Sequence, residues 1–434
     1  MRDHPPNIPL ACLFLIWIAL VCPLTSCSSK NGGDQIKWIF KAPRDIPWSG
    51  YGSATPPKIK DNIAVYGGGY FWQNQVYLFA VDVKTGGLLW KTEEPTDQYF
   101  IVGDKVVSTS KDGLTKIIPG KKRPAYVRSY DLKTGKPDWQ LEAETSMHPL
   151  RIISVGRFVY CWIPEQSLFA LDPKDGAVAW QVSEDSQKLN MGAAYIIGDG
   201  DRLFAAVPKN YVQVIDGKKG YTQYLISLTA MPSEPLKEMT VKDDLLFLYN
   251  ASGNLATVSL ADRKIKSQNQ AGAIDTPLFR SGDLLLFGTT MKTMKNDDAS
   301  ILCAFDLNRK QLIFAHDTGA NITGIPIVED TRIYFGTSYG DGKFYAIDKK
   351  SEKTLFAVST GPVLGSAIID KNIIYVNAEK ALFAIDKKNG TILFKVSPEQ
   401  YKPVGDPVID GDVVYMVAQD SNLYAIKAGL QGGM

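Results

Sequence analysis

The chain has 434 residues, 45% of them hydrophobic and 22% charged, and 48 Lys and Arg against 46 Asp and Glu leave a formal net charge of +2. That balance removes the electrostatic case for nucleic acid as a partner. Beyond Cys27 only Cys161 and Cys303 remain, several repeats apart in strand-like runs, which excludes a disulfide framework and reads as buried thiols packing as small hydrophobes.

In chain order, the first element is a targeting segment. Leu10 to Cys22 is almost wholly apolar, too short for a stable membrane span and the right size for the core of a signal peptide. Leu24-Thr25-Ser26-Cys27 follows at once. Small residues before a cysteine resemble a bacterial lipobox, which implies cleavage after residue 26 and lipidation of Cys27; an ordinary secretory signal cut nearby is the alternative. Residue 28 is Ser rather than Asp, which in lipoproteins implies the outer membrane. The expected organisation is a signal peptide over 1–26, a lipidated tether over 27–34, a repeat domain over 35–427 and a tail over 428–434. No later stretch is long and apolar enough to cross a bilayer as a helix.

From residue 35 onward one phrase recurs. Ala80-Val81-Asp82-Val83-Lys84-Thr85-Gly86-Gly87-Leu88-Leu89-Trp90 sets the frame, which returns around Asp131, Gly135 and Trp139 and around Asp172, Gly176 and Trp180. Later copies keep Asp216, Asp306, Asp348 and Asp386 but replace Trp by Tyr or Phe, and the copy at Ser259 is worn. The steps between equivalent positions are 49, 41, 44, 43, 47, 42, 38 and 41 residues. A period near forty, filled with short Ile-, Val-, Tyr- and Phe-rich runs between Gly, Asp, Asn and Lys turns, predicts an all-β fold: a β-propeller of four-stranded blades.

Within each unit the Asp carboxylate is expected to accept backbone N–H groups of the following turn, the Gly to supply positive φ, and the Trp to fill the wedge between blades. Repetition in every unit marks these residues as structural rather than as a ring of catalytic or calcium-binding carboxylates. The strand Gln35 to Phe40 has no Asp strand before it, and Asn422 to Lys427 has no Trp strand after it. Each is the missing half of the other, so the N-terminal strand is expected to close the ring as velcro. The count gives eight or nine blades, with nine favoured because every unit holds the content of a full blade.

Binding residues are sought on the loops. Three insertions join second to third strands and should emerge on one face. The first carries Tyr70, Phe71 and Trp72, able to anchor a partner or stack on a sugar. The second carries Lys111, Lys116, Lys121, Lys122 and Arg123, suited to an acidic partner or a lipid surface, or simply solvated. The third spans Thr290 to Ser300, with mixed charge. On the axis, Asp275 and Asp406 are candidates to line a polar funnel, although turns before a strand explain them as well. No acid–base pair, phosphate loop or nucleophile motif is present, and only His148 and His316 follow the signal segment.

The Ala-x-Asp-x-x-Thr-Gly-x-x-x-Trp phrase resembles the tryptophan-docking repeat of pyrroloquinoline-quinone-like propellers over nearly all of 35–427. Two branches of that superfamily bear on function. The quinoprotein dehydrogenases imply a quinone, calcium and a ring formed by vicinal cysteines, and this sequence has no vicinal cysteines. The BamB-type propeller lipoproteins, which share the lipobox, the bare ring and the closure, imply a non-catalytic scaffold without a cofactor. Their partner would be BamA-like periplasmic repeats in outer-membrane β-barrel assembly. A solute- or glycan-binding propeller is the first alternative and a quinone-dependent dehydrogenase the second.

Overall fold

A computed structural model describes residues 30–43, 53–70, 75–93, 98–111, 123–145, 151–163, 167–183, 195–207, 211–232, 234, 236–250, 252–274, 276–292, 298–309, 311–399 and 402–429. Nine antiparallel blades follow one another along the chain over 53–93, 99–145, 151–183, 196–227, 236–270, 273–317, 322–359, 368–396 and 403–427. The last is completed by Ile36–Phe40, which pairs with Leu423–Lys427 as its outer strand. The ring therefore has nine blades, and its closure is the expected one. Among the described residues no helix is long and apolar enough to cross a membrane.

The core is divided among the seams between blades. Each of nine apolar clusters draws its residues from two neighbouring blades, and the closing one joins Val413, Tyr415 and Leu423 of blade 9 to Tyr66, Phe79 and Val81 of blade 1. At that seam the Tyr66 hydroxyl donates to the Ser421 carbonyl at 2.7 Å. Its complete burial pushes the phenol well above its ordinary range.

The repeat phrase builds the outer half of these seams. Ala80 lies directly opposite Trp90 across the third and outer strands, as Ser129 lies opposite Trp139 and Ala170 opposite Trp180. A bulge follows the small residue in each of these pairs. The Asp82 carboxylate accepts the Thr85 and Lys84 N–H groups at 2.8 and 3.0 Å and the Thr85 hydroxyl at 2.9 Å. Those bonds hold its carboxyl below the usual range, the Thr85 N–H contributing most. Asp131 is held low chiefly by the Thr134 hydroxyl, and in the worn copy Ser259 takes the carboxylate's place by accepting the Asp262 N–H at 3.2 Å.

The glycine of the phrase serves the neighbouring blade as well as its own turn. Gly135 has φ +67°, and a Cβ there would stand 2.6 Å from the Trp90 indole of the preceding blade. Gly86, Gly176 and Gly220 meet Trp38, Trp139 and Trp180 in the same way. Each indole N–H also crosses to the next blade: Trp38 to the Val83 carbonyl at 3.2 Å, Trp90 to Leu132 at 2.8 Å, Trp139 to Pro173 at 3.0 Å and Trp180 to Gly217 at 2.8 Å. Four seams in a row, from blade 9 to blade 4, are fastened by one device.

The N-terminal arm adds a second clasp. Lys30–Asn31 runs parallel to Ile392–Val396, the outer strand of blade 8, before one 3-10 turn over Gly32–Gln35 leads into the closing strand of blade 9. Part of the segment expected to be tether is thus strand, because the outer edge of blade 8 offers unpaired backbone groups.

Candidate interaction face

Second-to-third turns and fourth-to-first links emerge on one side of the ring, which we call the loop face; the Asp turns lie on the other, the turn face. Three hairpins extend toward the loop face. Ile63–Tyr70 and Gln75–Asp82 are eight residues each, Arg123–Asp131 is nine, and Leu284–Lys292 with Asp298–Asp306 are nine each, against six for strands such as Arg202–Val207 and Ile373–Ala378. Their backbone places Tyr70, Lys111 and Arg123 in strands at the base of the expected loops. Phe71, Trp72, Lys116, Lys121, Lys122, Asp275 and Cys27 lie outside the described residues.

On the same face, blades 7 to 9 form an ordered cluster absent from the sequence-level candidates. Tyr339, on the second-to-third turn of blade 7, is 64% exposed, yet its hydroxyl lies 3.4 Å from Glu379 Oε1 of blade 8. Lys402, leading into blade 9, donates to the same carboxylate oxygen at 2.7 Å and lies 3.4 Å from the Tyr339 hydroxyl. Hydrogen bonding from Lys402 holds the Glu379 carboxyl below its usual range. Below them the Asp341 carboxylate takes Lys343 Nζ at 2.6 Å and the Tyr345 and Thr337 hydroxyls, fixing the turn that carries Tyr339. The result is a largely exposed aromatic side chain held at its hydroxyl, the kind of group that anchors protein interfaces. Its sequence signal was the Gly340-Asp341-Gly342 insertion after Tyr339; the partners lie 40 and 63 positions away and could not be paired from spacing alone.

Asp406 is positioned on the axis but is already engaged. Its carboxylate accepts the Ser366 N–H of blade 8 at 2.6 Å, and Ser366 in turn accepts the Ile325 N–H of blade 7 at 3.0 Å. Gly324, Gly365 and Gly405 sit in the innermost strands or links here; a Cβ on Gly324 would collide with the Ser366 backbone, and one on Gly365 with Asp406. Asp406 therefore acts as a clamp between blades. Among the described residues, no three His, Cys, Asp or Glu side chains gather as a metal site requires.

Residues 48–269 and again 123–358 match the family described as outer membrane protein assembly factor BamB, over more than half of the chain. The chain belongs to the BamB family. No curated protein matches the sequence. Among solved structures, the computationally designed Ika8 protein is similar at 14% identity and a TM-score of 0.52, over 76% of this chain and 95% of that one. Sqt1 of Saccharomyces cerevisiae is similar at 11% identity and a TM-score of 0.51, over 78% and 93%. BamB from Moraxella catarrhalis aligns at 12% identity and a TM-score of 0.49, over 92% and 99%. At these identities the designed and yeast proteins bear on the fold alone. Membership of the BamB family fits a propeller scaffold.

Proposed function

We propose that this protein is a non-catalytic lipoprotein, anchored through Cys27 to the periplasmic face of the outer membrane, that holds BamA-like periplasmic repeats during β-barrel assembly. The observation that carries the reading is the BamB family match across 48–358. The loop face is the surface assigned to the partner. Tyr339 serves as its anchor, and the hairpins bearing Tyr70, Phe71 and Trp72 on blade 1 and bearing Lys111, Lys116, Lys121, Lys122 and Arg123 on blade 2 extend the surface farther round the ring.

The test is a crosslinked pull-down of the tagged full-length chain from its own envelope, read by mass spectrometry. Recovery of the barrel-forming subunit, and its loss when the hairpin tips at Tyr70 and Lys111 are shortened, is the expected result. A prey set without the barrel machinery would sink the assembly role.

A further inference from the structure

We infer that the turn-face rim of blades 7 and 8 rests against the lipid surface, so that the loop face is turned away from it. The inference rests on the lipidated Cys27 of the proposed function and adds an orientation to it. Its starting point is the pairing of Lys30 with Phe394 and of Asn31 with Lys395. A parallel strand enters from the same end as its neighbour. Ile392–Val396 leaves an Asp turn, so the chain preceding Lys30 arrives from the turn face, at the outer edge of blade 8.

Only Ser28 and Ser29 separate Cys27 from this fixed strand. Three residue steps span at most about 10 Å of extended chain. An acyl group on Cys27 buries its chains in the bilayer and holds that residue at headgroup level, so the edge of blade 8 cannot swing free of the surface. The clasp over blades 8 and 9 removes the slack that a free tether would give.

The chemistry of the rim suits that neighbour. Lys350 and Lys353 on the turn of blade 7 and Lys388 on the turn of blade 8 are exposed, and outnumber the exposed Glu352 among them. The aspartates beside them are occupied: Asp348 accepts the Ser351 and Lys350 N–H groups at 2.7 and 3.2 Å, and Asp386 those of Lys388 and Asn389 at 2.8 and 3.0 Å. Leu355, at the start of the outer strand of blade 7, is 45% exposed. Lysines over an exposed aliphatic side chain match anionic headgroups above an acyl boundary.

The experiment uses the acylated full chain on vesicles of phosphatidylethanolamine and phosphatidylglycerol, with benzoyl-phenylalanine replacing Lys388 or its counterpart on the blade 3 turn, Lys174. Lipid crosslinks at the Lys388 position, several-fold above those at Lys174, are expected. A flexible Gly-Ser insertion of about twelve residues after Ser29, reaching about 20 Å, should abolish the difference. Equal crosslinking at both positions in an acylated, vesicle-bound chain overturns the orientation alone. An intact mass without acyl groups overturns the anchor, and the orientation with it.

Discussion

The ring is held together in two different ways. From blade 9 round to blade 4, each seam is fastened at its circumference by an indole stacked on the next blade's glycine and bonded to the next blade's carbonyl. Blades 7 and 8 carry Phe in place of that Trp, and their seams hold hydrogen bonds between inner strands: Ile325 N–H to Ser366, Ser366 N–H to Asp406, and Asn377 Nδ2 to the Gly405 carbonyl at 2.9 Å. The indole arc has such bonds as well, from the Tyr99 hydroxyl to the Pro56 carbonyl at 2.9 Å and from the Ile152 N–H to Gln98 Oε1 at 3.1 Å. Between these arcs Tyr224 meets the Arg263 guanidinium 4.2 Å from its ring centroid, where a glycine would otherwise stand. Phe356 still stacks on Gly390, without an N–H to donate. What distinguishes the two arcs is therefore the indole at the circumference, and the cluster around Tyr339 sits on the arc that lacks it.

Removing one fastener from each arc should separate them. Trp90→Ala empties a site that is 7% exposed and should cost about 3–5 kcal/mol of apparent stability in denaturant titration. Tyr224→Ala, which loses a half-buried ring and a cation contact, should cost about 1–2 kcal/mol. Equal losses would mean that the indole seams are not special. On the axial arc, Asp406→Ala leaves the part-buried Ser366 N–H without its acceptor and should cost about 1 kcal/mol, whereas Asp406→Asn keeps an acceptor oxygen and should recover part of that. If both Asp406 variants melt like the parent, the axial bonds are incidental.

A pH series sharpens the picture at the inner strand of blade 5. Burial pushes the Glu238 carboxyl up to about 7, against an ordinary value of 4.5, while the Leu278 N–H pulls weakly the other way. Because the folded state binds this proton more tightly, Glu238 costs nothing below about 4.5, a growing amount between 4.5 and 7, and a constant amount above. Glu238→Gln should therefore raise the melting temperature at pH 8 and leave it unchanged at pH 4. A gain that is the same at both pH values would contradict the burial argument. The smallest expected effect on stability is that of Tyr339→Ala, within about 0.5 kcal/mol for an exposed ring.

Much of this molecule was legible in its sequence because propeller repeats encode local chemistry. Asp82, Thr85, Gly86 and Trp90 lie within nine residues of one another, so the turn, its cap and the wedge could be read together. The unpaired half-blades at Gln35 and Asn422 announced the closure. What could not be read was anything assembled between blades without a repeated phrase. Asp406 stood as a funnel candidate, with a turn before a strand as the alternative, and the Ser366 N–H that engages its carboxylate lies 40 residues away. Tyr339, Glu379 and Lys402 each look ordinary alone and become a cluster only once three blades are stacked. The strand at Lys30–Asn31 was hidden for another reason: two residues carry no period, and their pairing depends on an open edge that only the finished ring provides.

The proposed role makes the loop face a docking surface for the periplasmic repeats of a BamA-like subunit. The most direct test is an equilibrium titration of the purified protein with those purified repeats, using the parent chain and Tyr339→Ala side by side. Saturable binding by the parent is expected, with at least about a tenfold weaker constant for the variant, the size of a hot-spot residue, and an unchanged melting temperature. Absence of binding by the folded parent would contradict the assembly role, and equal binding by both chains would move the partner to another face.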